Sequence, residues 1–188
     1  MSSFALSQMR SKLAPGRPLD DQGDAPSAAV ATILREGALG VEALFIQRAE
    51  REGDPWSGHL AFPGGKREPA DSSLLATSIR ETREEVGLHL APESLLARLE
   101  DVRAKTNGYR VAQFVFALDD PGATLATNAE VASTLWVPLS RIESDGGKET
   151  IAWTMGDKTI NLPCVRLGGL VLWGMTYRMV SQVIAAAK

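Results

Sequence analysis

Apolar and polar positions along this chain fall into short extended runs interrupted by two stretches of helical period. Ser27–Arg35 (SAAVATILR) and Val41–Arg48 (VEALFIQR) are apolar runs on either side of Gly37 and Gly40. Glycines at such a junction admit the positive φ of a tight turn, so the pair predicts an antiparallel hairpin. His59–Phe62 predicts a short strand that ends at Pro63. From Asp71 the period changes. Leu74, Leu75, Ile79, Thr82 and Val86 recur at helical spacing, Asp71, Ser72 and Ser73 offer capping oxygens, and Gly87 supplies the stop. Strands return at Leu95–Lys105 and Arg110–Leu118, joined through Asn107-Gly108, and at Ser133–Leu139. Residues 144–159 read as loop with short-strand material, and Gly168–Ala187 ends in a second helix. Strands, helix, strands, helix predicts an α/β (α+β) layer fold with a mixed central sheet and flanking helices.

Length bears on organisation. At 188 residues the chain suits one domain, expected over 27–188. Residues 1–26 end in a polar run, LAPGRPLDDQGDAP, that has little apolar area to offset its ordering entropy. A flexible N-terminal arm with one docked turn is expected there. The 20 basic and 23 acidic side chains leave a net charge of −3, which disfavours nucleic acid as a general partner. Cys164 is the single cysteine, so no intramolecular disulfide is possible. No apolar run approaches the roughly 20 residues of a membrane span, and no secretory signal is recognised. A cytoplasmic location is expected.

The chemistry concentrates at Gly64-Gly65-Lys66 and at Arg80-Glu81-Thr82-Arg83-Glu84-Glu85-Val86-Gly87-Leu88. On a helix Glu81, Glu84 and Glu85 stand at i, i+3 and i+4, which puts three carboxylates on one flank. Their mutual repulsion is relieved by a hard divalent cation, Mg²⁺ or Mn²⁺. Arg80, four residues before Glu84, can hold that carboxylate by a charge-assisted bond. A glycine pair lets backbone oxygens approach a metal closely. Taken alone, RETREE also suits a solvated helix face.

The whole pattern resembles the Nudix hydrolase signature, G-x5-E-x7-R-E-U-x-E-E-x-G-U with U apolar. Residues 80–88 match its fixed charged and glycine positions, with Thr82 in one apolar slot. One extra residue separates Gly65 from the helix, so Asp71, or else Glu68, takes the place of the loop glutamate. The resemblance extends to Gly58 and Phe62-Pro63-Gly64-Gly65 and to Trp173-Gly174-Met175-Thr176-Tyr177-Arg178, which look like the coenzyme A diphosphatase branch. Where that branch usually carries a basic residue, four positions before Gly58, this chain has Asp54.

The resemblance implies an α/β/α sandwich and a Mg²⁺-dependent hydrolase, with Mn²⁺ as a possible substitute. Its substrate would be a nucleoside diphosphate linked to another group: coenzyme A or acyl-coenzyme A, or a nucleoside diphosphate sugar or ADP-ribose. Glu81, Glu84, Glu85 and the Gly65 carbonyl would hold the metal, Arg80 would orient Glu84, and Glu130 is the candidate general base. Lys66, Arg67, Trp56 and Asn107 are candidate substrate contacts. Trp56 either stacks on a base or packs over the core. Trp153, Trp173 and Tyr177 read as core or interface, and His59 as structural. A homodimer is implied by resemblance only. The alternatives are a non-catalytic nucleotide-sensing module of the same fold and an RNA 5′-end pyrophosphohydrolase.

Overall fold

The computed structural model describes residues 4–13, 27–54, 56–104, 109–155 and 157–188. The expected hairpin forms: β1 (Ala28–Gly37) and β2 (Gly40–Arg48) pair antiparallel, with Gly37 opposite Gly40. Beside β1 on its other side runs β6 (Arg110–Ala117), in parallel, from Ala28 opposite Val111 to Leu34 opposite Ala117. β5 (Leu95–Arg103) extends the sheet beyond β6, and β3 (Leu60–Ala61), β4 (Gly64–Lys66) and β7 (Val131–Pro138) complete it around β1 and β2. The sheet is mixed, as expected.

Alternation along the central strands sends successive side chains to opposite faces. Ile33, Leu44, Ile46, Phe114 and Phe116 pack on one face with Leu74 and Val86 of helix α2 (Leu74–Val86). Leu34, Phe45, Val111 and Val115 pack on the other with Val180 and Val183 of helix α4 (Gly174–Ala186). Both faces being covered, β1, β2 and β6 read as nearly continuous apolar runs. Each fully buried Leu, Ile or Phe contributes on the order of 1.5–3 kcal/mol.

Two regions differ from the sequence reading. Within the stretch expected as a flexible arm, helix α1 (Leu6–Leu13) packs on the α4 face, with Phe4, Met9 and Leu13 buried in that core. The polar run that suggested mobility begins only after it. Residues 144–159, read as loop with short-strand material, carry the end of helix α3 (Leu139–Asp145) and the seven-residue strand β8 (Glu149–Met155). β8 joins β9 (Lys158–Leu167) and β10 (Leu170–Trp173) in a separate three-stranded sheet. Much of β9 is exposed, so this sheet lacks the strong apolar pattern that marks the central strands. Among the described residues no helix is long and apolar enough to cross a membrane.

Candidate active site

Helix α2 starts and stops on local chemistry. Ser73 accepts the Ala76 N–H at 3.1 Å, and Gly87, at φ 72°, donates its N–H to the Arg83 carbonyl. Those caps satisfy terminal groups that a helix leaves unpaired. Thr82, which stands in an apolar slot, is fully buried and donates its hydroxyl to the Ser78 carbonyl at 2.8 Å.

The glycine turn lies against this helix because β4 pairs with β1, Gly65 opposite Ala29 and Gly64 opposite Val30. Gly64 sits at φ 151°, and a Cβ there would meet the Ala29 carbonyl oxygen at 2.3 Å. A Cβ on Gly65 would meet Oε1 of Glu81 at 2.5 Å. The turn therefore lies against β1 backbone at Gly64 and against the Glu81 carboxylate at Gly65.

Arg80 organises the acids. Its Nε and Nη2 donate to the two carboxylate oxygens of Asp71 at 3.0 and 3.1 Å, and its Nη1 donates to Oε2 of Glu84 at 2.9 Å. Nη2 also reaches Oε1 of Glu81 and the Lys66 carbonyl, each at 3.1 Å. Asp71 is buried and additionally accepts from the Glu68 N–H and the Thr77 hydroxyl. The Arg80 guanidinium is the main reason its carboxyl is held down at about 2, with those two bonds assisting against burial. Of the two possible loop acids, Asp71 makes the bidentate clamp, whereas Glu68 is mostly exposed and 3.8 Å from Arg80.

Glu85 stands apart. It is 3% exposed, and its Oε2 accepts the Gly64 N–H at 2.8 Å. Among the described residues no cationic side chain is paired with it. Burial pushes its carboxyl up to about 8; the Gly64 N–H and, more weakly, the charge of Arg48 oppose this, and the charges of Glu81 and Glu130 add to it. Glu81 is raised too, chiefly by burial, with Arg80 opposing. One guanidinium thus serves three carboxylates, and the most buried acid has a single amide. Among the described residues no three His, Cys, Asp or Glu side chains are gathered closely enough to hold a metal ion as they stand. The donor set is nevertheless the kind a hard cation takes: carboxylates short of positive charge beside a turn whose backbone no Cβ shields.

Glu130 precedes β7. The loop before it is tied to the end of α2 by the Asn128 N–H on the Glu85 carbonyl, and its own carbonyl accepts the Ala49 N–H. Its carboxylate is half exposed and paired with Arg51 at 2.9 Å. Lys66 is exposed and lines a cleft of about 1030 Å³ that also includes Gly64 and Gly65. Arg67 is occupied otherwise: its guanidinium donates to the Asp71 and Ser72 carbonyls and pins the loop. Trp56 lines the cleft at its rim. Asn107 lies outside the described residues.

The cleft holds groups that sequence reasoning passed over. Trp153 and Trp173, read as core or interface, line it together with His59, Arg48 and Arg178. Asp54 pairs with Arg48 at 2.7 Å and accepts the Trp56 N–H, so it shapes this rim. Trp173 and Arg178 belong to the segment that carried the second part of the resemblance. No local spacing marks Trp153.

A family model described as "NUDIX domain" matches residues 25–155. A Photorhabdus laumondii protein named an uncharacterized Nudix hydrolase is 41% identical over 85 residues, 45% of this chain and 44% of that protein. The human mitochondrial coenzyme A diphosphatase NUDT8 is 30% identical over 155 residues, 80% of this chain and 65% of that protein. The chain thus spans less than two thirds of the length of each of these curated relatives. A solved MutT/nudix family protein from Enterococcus faecalis superposes with a TM-score of 0.59 at 17% identity, covering 90% of this chain and 64% of that one.

Proposed function

Because the chain belongs to the Nudix family, we propose that it hydrolyses the diphosphate linkage of a nucleoside diphosphate joined to a second group, releasing two phosphomonoesters. The observation that carries this reading is Glu85, a buried carboxylate with one amide partner, next to Glu81 and against a bare glycine turn. Glu81, Glu84, Glu85 and the Gly65 carbonyl would hold divalent metal, Mg²⁺ first and Mn²⁺ as its substitute. When bound, such an ion neutralises diphosphate charge and makes water a stronger nucleophile near neutral pH.

The chain's own groups have separable tasks. Asp71 fixes Arg80, and Arg80 fixes Glu84 and Glu81, so two acids are oriented before substrate arrives. Glu130 accepts the proton of the attacking water. The water oxygen adds to one phosphorus, and the bridging oxygen departs on the other phosphate. Lys66 and Arg48, both on the cleft, face the anionic substrate. Coenzyme A or an acyl derivative is the first class to test, because the human relative bears that name. Nucleoside diphosphate sugars and ADP-ribose form the second, favoured by Asp54, an acid where the coenzyme A branch usually carries a base.

A panel of these diphosphates, incubated with Mg²⁺ and analysed for monophosphate products, tests the reading. Turnover of at least one member that stops on chelation supports it. Folded protein that cleaves none of them overturns it and favours a binding module.

A further inference from the structure

Four aromatic rings from three separate segments meet in the cleft. Trp56 and His59 come from the loop before β3, Trp153 from β8 and Trp173 from the end of β10. Trp56 lies 6.4 Å from both Trp153 and Trp173, those two are 6.1 Å apart, and His59 meets Trp173 edge-on at 5.1 Å. Core packing does not account for the group. Trp56 remains 42% exposed, and neither Trp153 nor Trp173 belongs to the two buried clusters that flank the central sheet. Their ring surfaces instead line the cavity that contains Gly64, Gly65 and Arg48.

Resting on the diphosphatase reading, we infer that the three-stranded sheet supplies a specificity wall. Trp153 and Trp173, with Trp56, seat a flat heteroaromatic ring, the base of the nucleotide, while the diphosphate lies at the glycine turn. The planes of Trp56 and Trp153 differ by 23° with their centroids 6.4 Å apart, an offset stack in which each ring supports the other and the ring surface left uncovered lines the cleft. A planar base gains both apolar contact and quadrupole complementarity from such a surface, whereas an alkyl chain gains only the contact. Cations for the rest of the same ligand are at hand: Lys66 and Arg178 line the cleft, as does Arg48, which is paired there with Asp54. Trp153 and Trp173 touch the base and not the reacting atoms, so they set affinity and leave the chemical step alone.

The test compares ADP with an alkyl diphosphate as binding probes, by calorimetry in Mg²⁺, on the wild type and on Trp153→Leu and Trp153→Phe. The wild type prefers ADP. Trp153→Leu weakens ADP about fivefold or more, a loss in the range expected for one stacked base, and leaves the alkyl diphosphate unchanged. Trp153→Phe, which keeps a stacking face, recovers most of the ADP affinity. For any nucleotide substrate that turns over, Trp153→Leu raises KM with kcat nearly unchanged. Equal weakening of both probes in Trp153→Leu, no weakening of either, or no ADP preference in the wild type overturns the wall. Failure of every diphosphate to turn over removes the hydrolase reading, yet the ADP-against-alkyl difference still decides this one.

Discussion

Replacing Glu85 with Gln removes a titratable group from a place that resists charge. The carboxyl has an ordinary value of 4.5 and stands at about 8 in the folded protein, chiefly through burial. Between those two values the native state holds a proton that the unfolded chain has released. Stability of the metal-free protein therefore falls as pH rises from about 4.5 to about 8, and is lowest above that window. At 1.36 kcal/mol for each pH unit traversed, the contribution lost by pH 7 is about 3 kcal/mol. A glutamine is neutral throughout and its carbonyl can still accept the Gly64 N–H. In a chelator at pH 7, Glu85→Gln is thus expected to be more stable than the wild type by about 3 kcal/mol, or roughly 6–12 °C in Tm for a chain of this size. At pH 4.5 the two should melt together. Adding Mg²⁺ should reverse the order, because binding to the native state stabilises the wild type and the variant has lost a ligand. Thermal melts at both pH values, with chelator and with Mg²⁺, read all of this. A variant no more stable than the wild type at pH 7 in chelator refutes the claim that burial disfavours the ionised Glu85 carboxyl.

Asp71→Asn breaks a buried pair and leaves Arg80 with weaker partners, so urea titration at pH 7 should show a loss of about 2–4 kcal/mol. Because its carboxyl is depressed, the Asp71 contribution is present above its ordinary 3.8 and disappears as pH falls toward about 2. The penalty of the variant should therefore shrink in acid. The two turn glycines should separate. Gly64→Ala strains a positive φ and drives a Cβ into backbone, and is expected to unfold the protein or cost more than about 3 kcal/mol. Gly65→Ala displaces only the end of the Glu81 side chain, and circular dichroism should find it folded while turnover falls. Glu84→Gln touches a half-exposed acid; its melting temperature should stay near the wild-type value while kcat drops about 100-fold or more.

The central sheet and the acidic helix were legible because their signals are local. The nearly continuous apolar runs of β1, β2 and β6 and the caps at Ser73 and Gly87 act within a few residues of the positions they explain. Asp71 was visible as one of two loop acids, but its bidentate grip on Arg80 depends on how the loop folds back onto α2. The aromatic wall was not legible. Trp56, Trp153 and Trp173 are far apart in sequence, and β8 and β9 form with little buried apolar surface, so neither spacing nor hydrophobic pattern marks their meeting. Helix α1 was legible only as one docked turn, because the polar run after it weakens the signal of Met9 and Leu13.

Divalent-metal binding by Glu81, Glu84 and Glu85 is the claim on which the account stands. Titration of the purified protein with Mn²⁺, followed by electron paramagnetic resonance, measures it without any assumption about substrate. Bound Mn²⁺ in the wild type, displaced by Mg²⁺ and weakened by Glu81→Gln and by Glu85→Gln, is the predicted result. Mn²⁺ that stays free with the wild type, or that binds both variants as tightly as the wild type, contradicts it.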